Sequence, residues 1–516
     1  MPLAATVKQN FYKDSVALMR MAQEVLGREG VARASLLMGT PANKDILGQA
    51  GLLAPELARA APADLMIFVE GAEAALAPAL AAIEELLAGA DIAPRAGQVE
   101  IAPRSIAMGI GQLERATLAQ VSVPGPYAAA EAMKALKRGL HVFLFSDNVP
   151  LAEERAVKRL AAKKGLLVMG PDCGTAIIGG VPLGFANAVR RGAIGLVGAS
   201  GTGLQEVSCR IHALGEGVSH AIGTGSRDVY DEIGGTTLLA GLGLLARDPA
   251  TRVIAIVSKP PAQSVAQSVV GRALELARGS DKPAVVLFLG ASLPGGGNIH
   301  PVATLEQAAE AAVALARGEP APGARAAASP EGFDAAAAKL GPSQQDLRGL
   351  YSGGTYCTEA QLVWRRAGID TWSNAPLDEQ HTLPQGARSR GHTAIDLGAD
   401  EFTIGRPHPM IDFGARVERL AAEAEDPAVA VVVLDVVLGY GAHADPAGAL
   451  APAVREAHAR AAKDGRTLVV LGFLCGTEDD PQRLSAQRAK LAESGMILAP
   501  SSTAAAALAA RVAARA

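Results

Sequence analysis

The chain is poor in aromatic residues. Phe, Trp and Tyr make up 3% of its 516 positions. Its cores must therefore be built from Ala, Val, Leu and Ile, and 49% hydrophobic residues supply enough for several domains. Cysteine is scarce as well. Cys173, Cys209, Cys357 and Cys475 lie far apart and form no Cys-x-x-Cys pair, which argues against a zinc site and fits reduced thiols in a cytosol. Net charge is −4, and no dense basic stretch offers a surface for nucleic acid or anionic lipid. No run reaches the ~18 apolar residues of a membrane span. VAVVVLDVVLG (429–439) comes nearest and is interrupted by Asp435. The stretch MPLAATVKQNFYKD has no apolar segment of signal-peptide length. These absences predict a cytoplasmic protein without metal, membrane or nucleic acid.

What is present is alternation. Apolar β-branched runs take turns with Ala-rich helical patterns along the whole chain, which predicts α/β layers with parallel sheets. Two Pro- and Gly-containing stretches, 89–105 and 316–345, read as linkers. They predict an N-terminal ferredoxin-like α+β unit over 1–95 and a Rossmann-like unit over 104–190. Two larger flavodoxin-like domains follow, over 191–315 and 346–516, joined by 316–345.

The two larger units repeat each other. GASGTGLQEV (198–207) has its counterpart in YSGGTYCTEAQL (351–362), with Glu four residues after the Thr in both: Thr202 with Glu206, Thr355 with Glu359. AIGTGSRDV (221–229) echoes TIGRPHPMID (403–412). RVIAIVSKPP (252–261) then matches AVAVVVLDVVLGYG (428–441), and AVVLFLGAS (284–292) matches TLVVLGFLCGT (467–477). Four features in one order predict two copies of one domain, with ligand loops at the C-terminal ends of their strands. In the first loop an apolar run leads into Ser200, Gly201 and Thr202 and then into a helical pattern. Such a loop holds an anion on backbone N–H groups at the positive end of a helix dipole. Gly353, Gly354 and Thr355 would do the same in the second copy.

Several other residues stand at predicted strand ends. Asp172 and Cys173 follow GLLVM in MGPDCGT; they read either as ligand contact and nucleophile or as a Gly-Pro turn. Lys259 follows RVIAIVS, where it meets an anion as a point charge or pairs with a nearby acid. Arg406 and His408 read as anion contacts or as a solvated loop. TEDDP (477–481) looks like a helix start, with Asp480 as cap and Pro481 in the first turn. Cys357 is expected to be packed.

In order and spacing these loops resemble the succinyl-CoA synthetase superfamily. VSVPGPYAAAEAMKALKRGLHVFLFSDNVP, GLLVMGPDCGTAI and GLVGASGTGLQEV look like the α subunit, and 391–510 look like the C-terminal domain of the β subunit. The match is best within the FdrA-like family, in which both parts are fused. The resemblance implies one phosphate held between two helix N-termini, from Ser200-Gly201-Thr202 and from Gly439, Tyr440, Gly441 and His443. It places His300 near the position of a phosphorylated histidine, although a structural or substrate contact is the other reading. Three departures matter. The stretch 316–345 is too short for an ATP-grasp domain. SLLMGTPANKD (35–45) lacks a dinucleotide fingerprint, which leaves CoA as a cofactor in question. Lys259 stands where the synthetase has a carboxylate. The resemblance thus implies a transferase that uses carbamoyl phosphate or phosphate as substrate: oxamate carbamoyltransferase of allantoin catabolism, working with partner subunits. An ADP-forming acyl-CoA synthetase with a separate ATP-grasp subunit is the alternative reading, and a non-catalytic scaffold is a third.

Overall fold

Among the described residues, the alternation of apolar runs and Ala-rich stretches folds into four sheets, each covered by the helices that connect its strands. The computed structural model describes residues 2–11, 13, 15–49, 52–89, 103–113, 115–260, 263–403 and 407–514. The first sheet comprises β1 (Leu3–Lys8), β2 (Val31–Met38) and β3 (Leu65–Gly71), with α1 (Ser15–Leu26), α2 (Pro41–Gln49), α3 (Pro55–Ala58) and α4 (Glu73–Gly89) around it. Its order is β1-β3-β2 and both pairings are antiparallel. A βαβ unit split by a third strand is the core of a ferredoxin-like fold. Helix α2 starts at Pro41, where a missing N–H costs nothing.

The second unit is small and parallel. It contains α5 (Ile106–Gln112), β4 (Leu118–Val121), α6 (Gly125–Lys137), β5 (His141–Leu144), α7 (Leu151–Lys164) and β6 (Val168–Met169), in the order β4-β5-β6. Lys158 pins α7 to its neighbour. It is 1% exposed and pairs with Glu154 at 3.0 Å and Asp228 at 2.7 Å. A buried ammonium is tolerated only with such partners.

The third unit contains β7 (Thr175–Ile178), β8 (Val181–Gly184), β9 (Arg191–Gly198), α8 (Gly201–Ala213), β10 (Val218–Gly223), α9 (Thr236–Arg247), β11 (Val253–Ser258), α10 (Gln263–Arg278), β12 (Ala284–Phe288), β13 (Ile299–Pro301) and α11 (Leu305–Ala316). The hairpin β7–β8 precedes residue 190, yet it pairs antiparallel with β10 and so belongs to this sheet. Helix α12 (Phe333–Ala337) lies in the connection to the fourth unit. That unit contains β14 (Asp346–Tyr351), α13 (Gly354–Arg366), β15 (Trp372–Ser373), β16 (Thr393–Asp396), α14 (Asp400–Thr403), α15 (Gly414–Glu425), β17 (Val429–Val437), α16 (Pro446–Lys463), β18 (Val469–Cys475), α17 (Leu484–Glu493), β19 (Ile497–Leu498) and α18 (Ser502–Ala513).

The two larger sheets share one topology. The third sheet runs β13-β12-β11-β9-β10 before its hairpin, and the fourth runs β19-β18-β17-β14-β16 before β15. Counted from the first strand of each repeat, both read 5-4-3-1-2, the flavodoxin-like order. Helices cover both faces, so every residue of β11 and of β17 is buried. In this order the chain reverses direction between the first and third strands, and a crevice opens at their C-terminal ends. Ser200 follows β9 and Lys259 follows β11; Gly353 follows β14 and Gly439 follows β17. Both repeats thus send two loops to a switch point.

Candidate active site

The first loop of each repeat opens a helix. Ser200 is extended and caps α8, its Oγ accepting from Gly203 N at 3.1 Å. Gly353 caps α13 with no side chain to offer, so this helix start has no acceptor of its own. The two starts meet. Ser200 Oγ lies 2.8 Å from Thr355 Oγ1, and a Cβ on Gly353 would stand 2.7 Å from Thr202 Oγ1. Each threonine reaches the cap of the other repeat, as contacts across a pseudo-two-fold axis must. The glutamates of the repeat pattern follow the same symmetry. Glu206 on α8 accepts from Ser502 N at the start of α18. Glu359 on α13 accepts from Leu305 N at the start of α11, and from the hydroxyls of Ser502 and Thr503. Burial pushes the Glu206 carboxyl up to about 7, with Arg210 opposing.

The loop Gly439–His443 stands beside the start of α8. Gly439 and Gly441 have φ of 108° and 83°, conformations that favour glycine. Gln482 staples the loop, accepting from Gly439 N at 3.0 Å and donating to the carbonyls of Gly439 and His443. Tyr440 N donates to Ala186 O at 2.8 Å, while its ring is exposed. Thr175 links this loop to α8: its Oγ1 donates to Phe185 O at 2.7 Å and faces Gly201, and the Phe185 ring packs beside Gly441. His443 supports the next helix. Its Nδ1 accepts from Asp445 N at 3.0 Å, and its ring meets Phe413 edge-on.

Lys259 leaves the end of β11 half-buried, with no hydrogen bond or ion pair among the described residues. Its Nζ lies 3.0 Å from the point where a Cβ on Gly354 would stand, and Asp396 Oδ2 lies 2.5 Å from the same point. A cation and a carboxylate therefore share the start of α13. Burial raises the pKa of Asp396, and Lys259 opposes that shift. His408 is close by. A Cβ on Gly398 would stand 3.0 Å from His408 Nε2 and 3.2 Å from Asp396 Oδ1. Burial lowers the His408 pKa to about 4, so its ring is neutral near pH 7. Its Nδ1 accepts from Met410 N at 3.3 Å, which leaves the proton on Nε2. His408 is therefore a neutral hydrogen-bond donor and not a base at that pH. Arg406 lies outside the described residues.

The loop after β6 adds a carboxylate within electrostatic reach of Lys259. Asp172 has φ 52° and accepts from Ser226 Oγ at 2.5 Å. It is open to solvent at its edge, yet surrounding atoms desolvate the carboxylate and raise its pKa, with Asp147 adding to the shift and Lys259 opposing it.

The structure decides or revises several of these readings. Cys173 is no nucleophile: burial pushes its thiol up to about 12, and its Sγ donates to Thr175 O. His300 sits on β13 opposite Val285, level with Ala255 on β11. Lys259 is four residues further along that strand, about 13 Å at 3.3 Å per residue. The structure thus separates His300 from the strand ends that gather Lys259. Asp480 caps no helix, because α17 begins only at Leu484. Its carboxylate instead accepts from Thr477 N, Ala188 N and Asn187 Nδ2, binding the two larger units together. The Ser200 loop meets the Thr355 loop directly, and the Gly439 loop with which the resemblance pairs it stands alongside.

Asp396 is a site residue that the repeated sequence pattern does not mark. It ends the apolar run TAI, and the strand-end rule that selected Lys259 selects it equally.

Residues 350–512 match the CoA-ligase family model, and residues 1–102 match that of the AllF heavy metal-associated domain. Residues 1–102 contain neither cysteine nor histidine, so no thiolate or imidazole is present there for a soft metal. The chain is 43% identical over 516 residues to the uncharacterized protein YahF of Escherichia coli, covering 98% of this chain and 97% of YahF. It is 28% identical over 188 residues to the ADP-forming sulfoacetate-CoA ligase subunit SauD of Bilophila wadsworthia, covering 35% of this chain and 62% of SauD. It is 27% identical over 219 residues to the succinate–CoA ligase subunit alpha 2 of Archaeoglobus fulgidus, covering 41% of this chain and 72% of that one.

Proposed function

The chain belongs to the FdrA-like family of the succinyl-CoA synthetase superfamily, and on that footing we propose that it is a subunit of a transferase that uses an acyl phosphate. The reaction we assign to it is that of an oxamate carbamoyltransferase, in which oxalurate and phosphate are interconverted with oxamate and carbamoyl phosphate. One observation carries this reading: Lys259, without an ion-pair partner among the described residues, stands at the start of α13, which no side chain caps. An ammonium beside a helix N-terminus favours a phosphoryl group.

In the direction that consumes carbamoyl phosphate, the amide nitrogen of oxamate attacks the carbamoyl carbon. The bond from that carbon to the phosphate oxygen breaks, phosphate leaves with the electron pair, and the proton lost from the attacking nitrogen ends on the departing phosphate. Charge grows on the leaving oxygen, where Lys259 and the first N–H groups of α13 stabilise it without rearrangement. His408 adds a neutral N–H donor from the far side of Asp396. The Ser200 loop faces the same region and is assigned to the substrate carboxylate. Between α11 and β14 the described chain contains only the five-residue helix α12. Phosphate activation by ATP is therefore assigned to no part of that connection.

The second reading, an ADP-forming acyl-CoA ligase with a separate ATP-grasp subunit, is favoured by the similarity to SauD and to the Archaeoglobus protein, both named as ligase subunits. Those names also support partner subunits for this chain. The test is an assay of the chain reconstituted with its co-purifying partners. Phosphate-dependent cleavage of oxalurate, with release of carbamoyl phosphate, is expected. Acyl-CoA formation that requires ATP and CoA, without oxalurate cleavage, would establish the ligase instead.

A further inference from the structure

The carboxylate beside Lys259 is held in place. Asp396 N donates to Asn374 Oδ1 at 2.9 Å, and Asn374 Nδ2 donates back to Asp396 O at 3.0 Å. Asp396 Oδ1 accepts from Gly398 N at 3.0 Å. Oδ2 has no hydrogen-bond partner among the described residues and reaches the start of α13, next to Lys259 Nζ. A carboxylate oxygen thus occupies the place that a phosphoryl oxygen would take, against the same cation and the same helix end. Gly354 is what permits the approach, since any Cβ there would press on both groups.

The charges facing Asp396 are mostly of its own sign. Glu401 on α14 and Asp435 near the end of β17, the latter paired with Arg416, disfavour its ionised form; Lys259 and the Gly398 N–H favour it. His408 is neutral, and the Cys357 thiol on α13 is pushed up to about 12 and stays protonated. An incoming oxyanion would add another negative charge within contact distance. Two anions that share one cation at such range do not both stay ionised; one takes a proton.

We propose that Asp396 is the resident anion of this site, and that an oxyanion binds at the start of α13 together with one proton taken up by Asp396. The proposal rests on the reading of this site as one for a phosphoryl group. The neutral carboxyl would then donate its O–H to the bound oxyanion, so one residue fills the empty site and recognises the filled one. Binding is consequently proton-linked and weakens as pH rises.

The test uses sulfate, an oxyanion that does not titrate near neutrality, with the full chain near pH 6. Calorimetric titrations in two buffers of different ionisation heat count the protons. The wild type is expected to take up close to one proton per sulfate, and to lose about tenfold in affinity per pH unit, between the pKa of Asp396 in the empty site and its higher pKa in the filled one. Asp396→Asn, already neutral, should bind sulfate with no uptake and with nearly pH-independent affinity. Lys259→Met should lose at least tenfold in affinity at every pH, which checks the site if the Asn variant folds poorly. Sulfate binding without proton uptake, uptake unchanged in Asp396→Asn, or no sulfate binding by the wild type overturns the proposal. Proton-linked binding without oxalurate cleavage would leave it standing and remove the carbamoyltransferase reading. Oxalurate cleavage without proton linkage would do the reverse.

Discussion

Ser200 Oγ stands 2.8 Å from Thr355 Oγ1, although 155 residues separate them. This bond joins the first helix starts of the two repeats at their pseudo-two-fold axis. It also settles which loops share a floor: the two Gly-Thr loops abut, and the Gly439 loop stands alongside through Thr175 and Phe185. Ser200 has a second duty as N-cap of α8. One hydroxyl therefore couples a local helix end to the interface between repeats.

Replacing Ser200 with Ala should lower stability by about 1–3 kcal/mol, combining the lost cap with a buried Thr355 hydroxyl left unpaired. Ser200→Ala/Thr355→Val should cost less than the sum of the two single changes, because no unpaired group remains. Urea-unfolding midpoints of the four proteins give the coupling. Strict additivity would show that the hydroxyls do not interact.

Lys259→Ala should weaken binding of carbamoyl phosphate roughly ten- to a hundredfold, the loss of one charge-assisted contact. The unfolding midpoint should move little, since Lys259 has no ion-pair partner among the described residues. Calorimetry with the reconstituted complex makes the measurement. Equal affinity in variant and parent would remove Lys259 from the site.

Cys173 and His300 should both be dispensable. A buried thiol with a pKa of about 12 is almost entirely protonated at pH 8, so iodoacetamide should leave Cys173 unlabelled in the native protein. His300→Asn should keep turnover within about threefold, as its place on β13 is remote from Lys259. Radiolabelled ATP and magnesium should leave the isolated chain unlabelled, and an acid-labile phosphate on His300 would reinstate the ligase reading.

Glu206 should make stability fall with rising pH. Its folded pKa, about 7, lies above its ordinary value of 4.5, so between these values the folded chain holds more proton than the unfolded one. Stability is then lost as pH climbs from about 4.5 to 7, at up to about 1.4 kcal/mol per pH unit. Glu206→Gln keeps an acceptor for Ser502 N and should flatten that part of the profile. Thermal unfolding at pH 5, 6 and 7 compares the two. An identical slope would assign the dependence to other groups.

Periodicity and strand-end logic carried much of this protein in the sequence alone. The β-branched runs around Val253–Ser258 and Val429–Val437 had to be covered on both faces. The loops after them had to fall at the C-terminal edge, because parallel strands joined by crossover helices leave the chain nowhere else to go. Glu206 and Glu359 were legible as a repeated pattern, though not as caps for other helices. The tertiary structure decided which loops touch and which groups stay charged. Gln205, Glu206 and Ser208 look solvent-facing on a helical wheel but are buried, because α8 is enclosed by both repeats. Asp396 stands near Lys259 only because separate units bring the ends of β11 and β16 to one helix start. Cys173 and His408 owe their inert thiol and neutral ring to desolvation by distant segments. A sequence specifies the strand on which a residue sits, but the dielectric around that residue is set by everything that folds against it.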